Sequence, residues 1–229
     1  MHSQQKVGTV IVAAGEGKRM GGGDKLMALL GGEPVIARVV STFEKCELIS
    51  QIVLVLSEAN LERGRRLAAD YNWSKLSDIC PGGQRRQDSV VAGIARLRDC
   101  AWVVIHDGAR PLVSEDLISR GLSAAEATGA AVAAVPVTDT IKVAGDDMLV
   151  RETPPRRKLW AVQTPQVFRL ATIAGAYRHI GDNDVTDDAA AVEQSGHRVK
   201  LYMGAYDNIK ITTPSDLALA EVLLKEHGR

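Results

Sequence analysis

Val7-Gly8-Thr9-Val10-Ile11-Val12-Ala13-Ala14-Gly15-Glu16-Gly17-Lys18-Arg19-Met20-Gly21-Gly22-Gly23-Asp24-Lys25 decides the fold. An apolar run of strand length, residues 7–14, feeds directly into a glycine-rich turn studded with cations. Glycine lets backbone approach a ligand closely, and the exposed N–H groups of such a turn make a concave anion site. Arg19 and Lys25 add full positive charge where phosphates would lie. Spacing rejects two familiar loops. The dinucleotide fingerprint needs a third Gly or Ala where Met20 stands, and the P-loop needs a closing Gly-Lys-Ser/Thr.

Outward from this turn, short apolar runs at 51–56, 101–105 and 130–135 repeat the pattern of the first. Continuous apolar runs of this length are expected of parallel strands covered on both faces. Amphipathic stretches at 34–46, 60–71, 87–97 and 115–127 fall between them and read as helices. Such alternation implies a three-layer αβα fold, with a Rossmann-like, mostly parallel sheet. It breaks at about Thr138. Residues 138–158 are charged and proline-containing, with β-like pieces at 140–143 and 148–152 around an Ala144-Gly145-Asp146-Asp147 turn. The segment reads as a protruding β-arm, with an irregular surface loop as the alternative. Beyond it, 174–180 reads as a helix, and Thr186 as the cap of another running to Gln194. Residues 199–203 and 208–211 read as strands. Thr213-Pro214-Ser215-Asp216 opens a last helix, with Asp216 as a capping-box acid.

Bulk properties agree with one domain over 1–229. Hydrophobic residues make up 45% of the chain, enough for a sizeable core. Lys+Arg and Asp+Glu both total 28, so non-specific binding to nucleic acid or to a membrane is not expected. No apolar run reaches the roughly 20 residues of a membrane span. The polar N-terminus lacks the apolar stretch of a signal peptide. Cys46, Cys80 and Cys100 match neither a metal motif nor a disulfide framework. They are expected as buried free thiols in a reducing, cytoplasmic setting.

Further motifs follow the loop in order: Pro81-Gly82-Gly83-Gln84-Arg85-Arg86-Gln87-Asp88-Ser89-Val90, His106-Asp107-Gly108-Ala109-Arg110-Pro111, Asp139-Thr140-Ile141-Lys142, Gln163-Thr164-Pro165-Gln166, Thr186-Asp187-Asp188-Ala189 and Asp207-Asn208-Ile209-Lys210-Ile211-Thr212. From position alone, Asp107 at a strand's carboxyl edge reads as a ligand contact or as a turn carboxylate. The Gly82-Gly83 turn reads as a base-reading element or a plain connection, and Lys210 as functional or as a surface lysine.

Together with Ala-Ala-Gly-x-Gly-x-Arg-Met, these motifs resemble the 2-C-methyl-D-erythritol 4-phosphate cytidylyltransferase family, over essentially the whole chain. The resemblance implies a glycosyltransferase-A-like nucleotidyltransferase fold. It also implies CTP and a polyol phosphate as substrates, Mg²⁺ or another divalent cation, and a homodimer with exchanged arms. By the resemblance Arg19, Lys25 and Lys210 are catalytic. Ala13, Ala14, Gly15, Gly17, Gly82, Gly83, Gln84 and Ser89 join Arg19 and Lys25 around the nucleotide. Asp107, Arg110, Thr140, Arg156, Thr164 and Thr186 meet the acceptor, Thr140 and Arg156 from the neighbouring subunit. Arg157 is adjacent and could replace Arg156, and Asp107 could also touch the metal, which otherwise rests on CTP phosphates. His106 reads as structural. A ribitol-5-phosphate cytidylyltransferase is the nearest rival reading, and a non-catalytic nucleotide-binding regulator another. Two departures stand out. Asp24 replaces the family's usual Pro before the loop lysine, and Gly108 its usual Ala.

Overall fold

The computed structural model describes residues 5–15 and 24–226. Seven strands form the central sheet: β1 (Val7–Ala13), β4 (Gln51–Leu56), β5 (Leu76–Pro81), β6 (Trp102–Asp107), β7 (Ala130–Pro136), β10 (Trp160–Arg169) and β11 (Lys200–Met203). Their order is β11-β7-β10-β6-β1-β4-β5. Every pairing is parallel except those of β10, which runs antiparallel between β6 and β7.

Among the described residues six helices cover the sheet, α1 (Val35–Lys45), α2 (Leu61–Tyr71), α3 (Arg86–Ile94), α4 (Glu115–Ala125), α5 (Leu170–Ile180) and α6 (Asp188–Gln194), and α7 (Pro214–Glu226) lies apart from it. Side chains alternate across each strand, so β1 sends Ile11 to one core and Val10 to the other. Phe43 of α1, Leu67 of α2 and Leu117 of α4 pack with Ile11. Val90 of α3, Ile173 of α5 and Val192 of α6 pack with Val10. The structure is therefore the three-layer αβα arrangement read from the sequence. Helix α7 closes a smaller cluster with Leu30, Val35 and Ile211. Asp216 accepts the Thr213 N–H at 2.8 Å, as the capping-box reading requires.

After β7 the chain leaves the sheet. Strands β8 (Val143–Ala144) and β9 (Val150–Glu152) form an antiparallel hairpin, closed where Met148 N–H donates to Gly145 O at 2.9 Å. Met148, Leu149 and Val150 are exposed on it, Met148 by 82%. A 3-10 turn at Arg156–Lys158 leads back into β10. A second small hairpin, β2 (Leu29–Leu30) with β3 (Glu33–Pro34), precedes α1.

Several expectations are corrected. Residues 208–211 are not a strand: Asn208 N–H turns back to Ala205 O, and Ile211 N–H reaches Ala109 O in a loop. The cap of α6 is Asp187, whose carboxylate accepts the Ala190 N–H at 2.9 Å, not Thr186. Helix α5 starts at Leu170, four residues before the expected start. Cys46 and Cys80 are buried free thiols, but Cys100 is only half-buried. It lies in the bend before β6, where Sγ faces Gln51 Oε1 at 3.5 Å.

Candidate active site

Strands β1 and β6 pair through Val12↔Asp107. From β1 the chain winds outward through β4 and β5, and the later strands build on the β6 side. In open α/β sheets the crevice at such a switch point, beyond the carboxyl ends of the strands, is where ligands bind. Ala13 is buried there, Ala14 half-buried and Gly15 exposed. Gly17 and Arg19 of the expected phosphate loop lie outside the described residues. Lys25 is half-buried in the turn where the described chain resumes. Asp24 organises that turn. Its carboxylate accepts the Leu26 N–H at 3.0 Å and Asn60 Nδ2 at 2.7 Å, and it lies 3.7 Å from Arg63. The Asp24 charge is therefore engaged by backbone, by Asn60 and by Arg63.

The Gly82-Gly83-Gln84 turn closes one wall of the crevice. A Cβ on Gly82 would stand 2.3 Å from Ala14 Cβ and 2.6 Å from Ser89 Oγ. Only glycine lets this turn lie against the end of β1. Buried Ser89 accepts the Gly83 N–H at 3.1 Å, which fixes the turn from behind. Gln84 is exposed. Arg85 forks onto Asp88 at 2.7 Å and reaches Asp182 O and Asp184, tying α3 to the loop after α5. Gly108 makes a similar close approach, since a Cβ there would meet Ala13 Cβ at 2.8 Å and Ile36 Cδ1 at 2.9 Å.

Asp107 ends β6 at the centre of the crevice. Lys210 Nζ lies 2.6 Å from its Oδ2, and Arg86 Nε lies 3.1 Å from its Oδ1. Burial pushes the Asp107 carboxyl up. The charges of Arg86 and Lys210 more than reverse this and hold it well below the usual carboxylate range. Arg86 also pairs with buried Asp188 at 2.8 Å, and the Tyr177 hydroxyl donates to Asp188 Oδ1. Burial works against the Arg86 charge, but the two carboxylates outweigh it and raise the guanidinium above its ordinary value.

Thr164, expected to meet the acceptor, is buried and already engaged. Its Oγ1 accepts the Asp107 N–H at 3.0 Å and faces His106 Nδ1 at 3.1 Å. His106 Nε2 lies 3.1 Å from Arg110 O. Burial holds this imidazole neutral, down to about 4, which fits the structural role read for it. Arg110 Nη1 donates to Asn208 O at 2.6 Å, and burial lowers its guanidinium from the usual value. Asn208 Nδ2 returns to Thr164 O at 2.8 Å, so the loop carrying Lys210 is strapped to β10. Thr186 is exposed just before α6. Thr140 and Arg156 are exposed on the arm, where Arg156 Nη1 donates to Thr138 O at 2.6 Å.

The Asp107 site does not fit a resident metal ion. Each carboxylate oxygen already faces a cationic side chain. Among the described residues no three His, Cys, Asp or Glu side chains are grouped to hold a metal.

Sequence reasoning quoted Arg86, Asp188 and Asn208 within motifs but gave them no part in the site, reading Asp188 only as an acid at the positive end of its helix, and it passed over Tyr177. One signal was present. Arg85-Arg86 puts two cations at the N-terminus of α3, against the helix dipole, so something acidic had to be waiting there.

The model of the 2-C-methyl-D-erythritol 4-phosphate cytidylyltransferase family matches residues 7–226. A protein of that name from Dehalococcoides mccartyi is 53% identical, covering 99% of both chains. Another from Alkaliphilus oremlandii is 44% identical over 98% of each. Among solved structures, the 4-diphosphocytidyl-2C-methyl-D-erythritol synthase of Anaerococcus prevotii superposes with a TM-score of 0.87 at 29% identity, covering 97% of both chains. The 2-C-methyl-D-erythritol 4-phosphate cytidylyltransferase of Thermus thermophilus gives 0.78 at 30% identity, covering 96% of this chain and all of that one. With the crevice motifs in place and the match running end to end, the chain belongs to the 2-C-methyl-D-erythritol 4-phosphate cytidylyltransferase family of nucleotidyltransferases.

Proposed function

We propose that this protein joins CTP to 2-C-methyl-D-erythritol 4-phosphate, giving 4-diphosphocytidyl-2-C-methyl-D-erythritol and pyrophosphate. The observation that carries the reading is the lysine at the rim of the switch-point crevice. Lys210 is held on Asp107, which pairs with Val12 near the end of β1, within a chain that matches the family along its length.

The acceptor's phosphate oxygen attacks the α-phosphorus in line, and pyrophosphate leaves. That oxygen is already ionised at neutral pH, so no general base is required. Catalysis reduces to alignment and to neutralising charge. Arg19 and Lys25 cradle the triphosphate with backbone N–H groups of residues 14–17, and Ala13 joins them at the end of β1. Lys210 meets the α-phosphate, where negative charge grows in the transition state. Gly82, Gly83 and Gln84 read the cytosine edge, backed by Ser89. Asp107, Arg110 and Thr186 face the acceptor. Thr164 acts from behind, through the Asp107 N–H. Mg²⁺ or another divalent cation belongs to this reading as a companion of the triphosphate, and no step on the chain's own side chains runs through it.

The arm supports a homodimer in which Thr140 and Arg156 serve the neighbour's acceptor site. Its exposed Met148, Leu149 and Val150 favour burial against a second subunit. The free thiols suit a cytoplasmic setting.

A panel of four nucleoside triphosphates crossed with methylerythritol phosphate and ribitol 5-phosphate, scored by pyrophosphate release, tests the reading. CTP with methylerythritol phosphate should give the highest kcat/KM. Comparable turnover with ATP or GTP, or a preference for ribitol 5-phosphate, overturns it.

A further inference from the structure

Behind Asp107 runs a string of alternating charge that spans five pieces of the fold. Lys210 precedes α7, Asp107 ends β6, Arg86 opens α3, Asp188 opens α6, and Tyr177 lies on α5. The links are 2.6 Å from Lys210 to Asp107, 3.1 Å from Asp107 to Arg86 and 2.8 Å from Arg86 to Asp188, ending in the Tyr177 hydroxyl. Side-chain exposure is 42% at Lys210, 10% at Asp107, 29% at Arg86 and none at Asp188, so both carboxylates are better buried than the cations that face them. Lys210 is the solvent-facing end of a buried assembly.

The arithmetic of charge explains why the assembly needs its middle member. Asp107 and Asp188 together carry two negative charges, and Arg86 cancels one. Arg110 adds a weaker attraction to Asp107, so Lys210 faces at most a net single negative charge. With Arg86 removed it would face one more, in a partly shielded site where attraction is stronger than in open water. A lysine held that firmly is not available to a phosphate oxygen. Nor can Asp107 be left buried without a counter-charge when the lysine departs. Arg86 answers both needs. Its guanidinium is planar and forked, so one side chain reaches both carboxylates.

We infer that Arg86 is a positioning residue for the transfer: from its anchor on Asp188 it holds and partly neutralises Asp107, so that Asp107 aims Lys210 yet releases it to the nucleotide's phosphate. The inference rests on the cytidylyltransferase reading given above. The bland alternative is a clamp that only ties α3 to α6, which would shift thermal stability and leave turnover of the folded enzyme alone.

A double-mutant cycle separates the two. Arg86→Gln, Asp107→Asn and the pair are assayed for kcat and for KM of CTP by pyrophosphate release, with thermal unfolding measured alongside. Arg86→Gln should lower kcat about 10–100-fold, the scale for losing an outer partner that orients a functional group, and change KM by less than about threefold. In the Asp107→Asn background the same substitution should change kcat by less than about threefold, because its route of action is gone. Arg86→Lys should recover part of the loss. A wild-type kcat in Arg86→Gln, or an equal loss in both backgrounds, overturns the inference. Should Arg86→Gln fail to fold, Tyr177→Phe replaces it in the cycle, since it removes the hydroxyl from Asp188 and keeps the ring. A severalfold loss confined to the Asp107 background is expected, and an unchanged kcat overturns the inference. A wild type inert with CTP and methylerythritol phosphate sinks the functional reading and this proposal together. An active wild type with an additive cycle sinks the proposal alone.

Discussion

Lys210 Nζ sits 2.6 Å from Asp107 Oδ2, although 103 residues separate the two in the chain. The pair joins the end of a central strand to the loop before the last helix, and it puts a lysine ammonium at the mouth of the crevice. The lysine is half exposed while its partner is nearly buried, so the contact is weighted towards the carboxylate. Asp107 gains a counter-charge that offsets its desolvation, whereas Lys210 can leave for water or for a phosphate at little cost.

Lys210→Ala is therefore expected to lose about 10²–10³-fold in kcat, the scale for deleting one pre-organised contact to developing charge. Lys25→Ala should lose a similar factor. Fold should survive both, because Arg86 still faces Asp107 when Lys210 is removed and Lys25 lies in a turn outside the buried core. Steady-state kinetics beside a thermal melt check this. Near wild-type turnover in either variant removes that lysine from the mechanism.

Two glycines at the crevice should respond in opposite ways. Gly15 has open space where a Cβ would go, whereas Gly82 has Ala14 Cβ at 2.3 Å. Gly82→Ala should destabilise the free protein by about 1–3 kcal/mol, the range for overpacking a tight contact. Gly15→Ala should leave the free protein's stability unchanged within about 0.5 kcal/mol. If a phosphate approaches the backbone there, as proposed, the added methyl should still weaken CTP binding about tenfold. Denaturant melts and CTP titration calorimetry read both quantities. Equal stability losses in the two variants would contradict the packing argument.

Acid should weaken the fold in a window set by His106. Burial pushes its imidazole down from 6.5 to about 4. Between those values the unfolded chain binds a proton that the folded chain refuses, so stability is present above about pH 6.5 and is lost as pH falls towards 4. The shift corresponds to about 3 kcal/mol. Asp107 acts in the same direction but lower. Its folded value is depressed, so its contribution is lost only as pH falls below the ordinary carboxylate range. Urea midpoints at pH 7, 6, 5 and 4.5 should fall steadily, and His106→Asn should flatten the slope. A wild-type midpoint constant from pH 7 to 5 would show that His106 can take up its proton without cost.

The parts of this fold that were legible are those where one local signal suffices. The apolar runs became β1, β4, β6 and β7 because strands buried on both faces need no polar alternation. Strand β10 was missed for a physical reason. Pro165 sits inside it, and proline argues against a central strand. The strand tolerates it because pairing with β7 is interrupted between Val162 and Gln166. Edge strand β5 was hidden by Asp78 and by its half-exposed sequence. At the site, the glycine turns and Asp107 could be singled out from their place after strands, with a plain connection or a turn carboxylate as the other reading. The Lys210–Asp107–Arg86–Asp188 string was not, since it is assembled from four distant segments and no spacing encodes it. Resemblance supplied Lys210, but not the carboxylate that holds it.

The arm carries the prediction that reaches furthest beyond one subunit. Residues 138–153 are almost wholly exposed in the single chain, and β8 and β9 contribute only two and three residues to their hairpin. A hairpin that small is marginal in water unless something covers it. Its apolar tip at Met148, Leu149 and Val150 gives a second subunit something to cover. If Arg156 serves the neighbour's acceptor, Arg156→Ala should raise the KM for methylerythritol phosphate at least tenfold and leave that for CTP nearly unchanged. Mixing gives the decisive result. At methylerythritol phosphate well below the raised KM, a Lys25→Ala chain and an Arg156→Ala chain should each be nearly inactive alone. In a mixed dimer both substitutions fall on one shared site, and the other site is intact. Activity should return towards half of the wild-type value per mixed dimer once subunits exchange. Exchange confirmed by mass spectrometry with no recovery would mean that the arm serves its own subunit, and the shared-site dimer would be wrong.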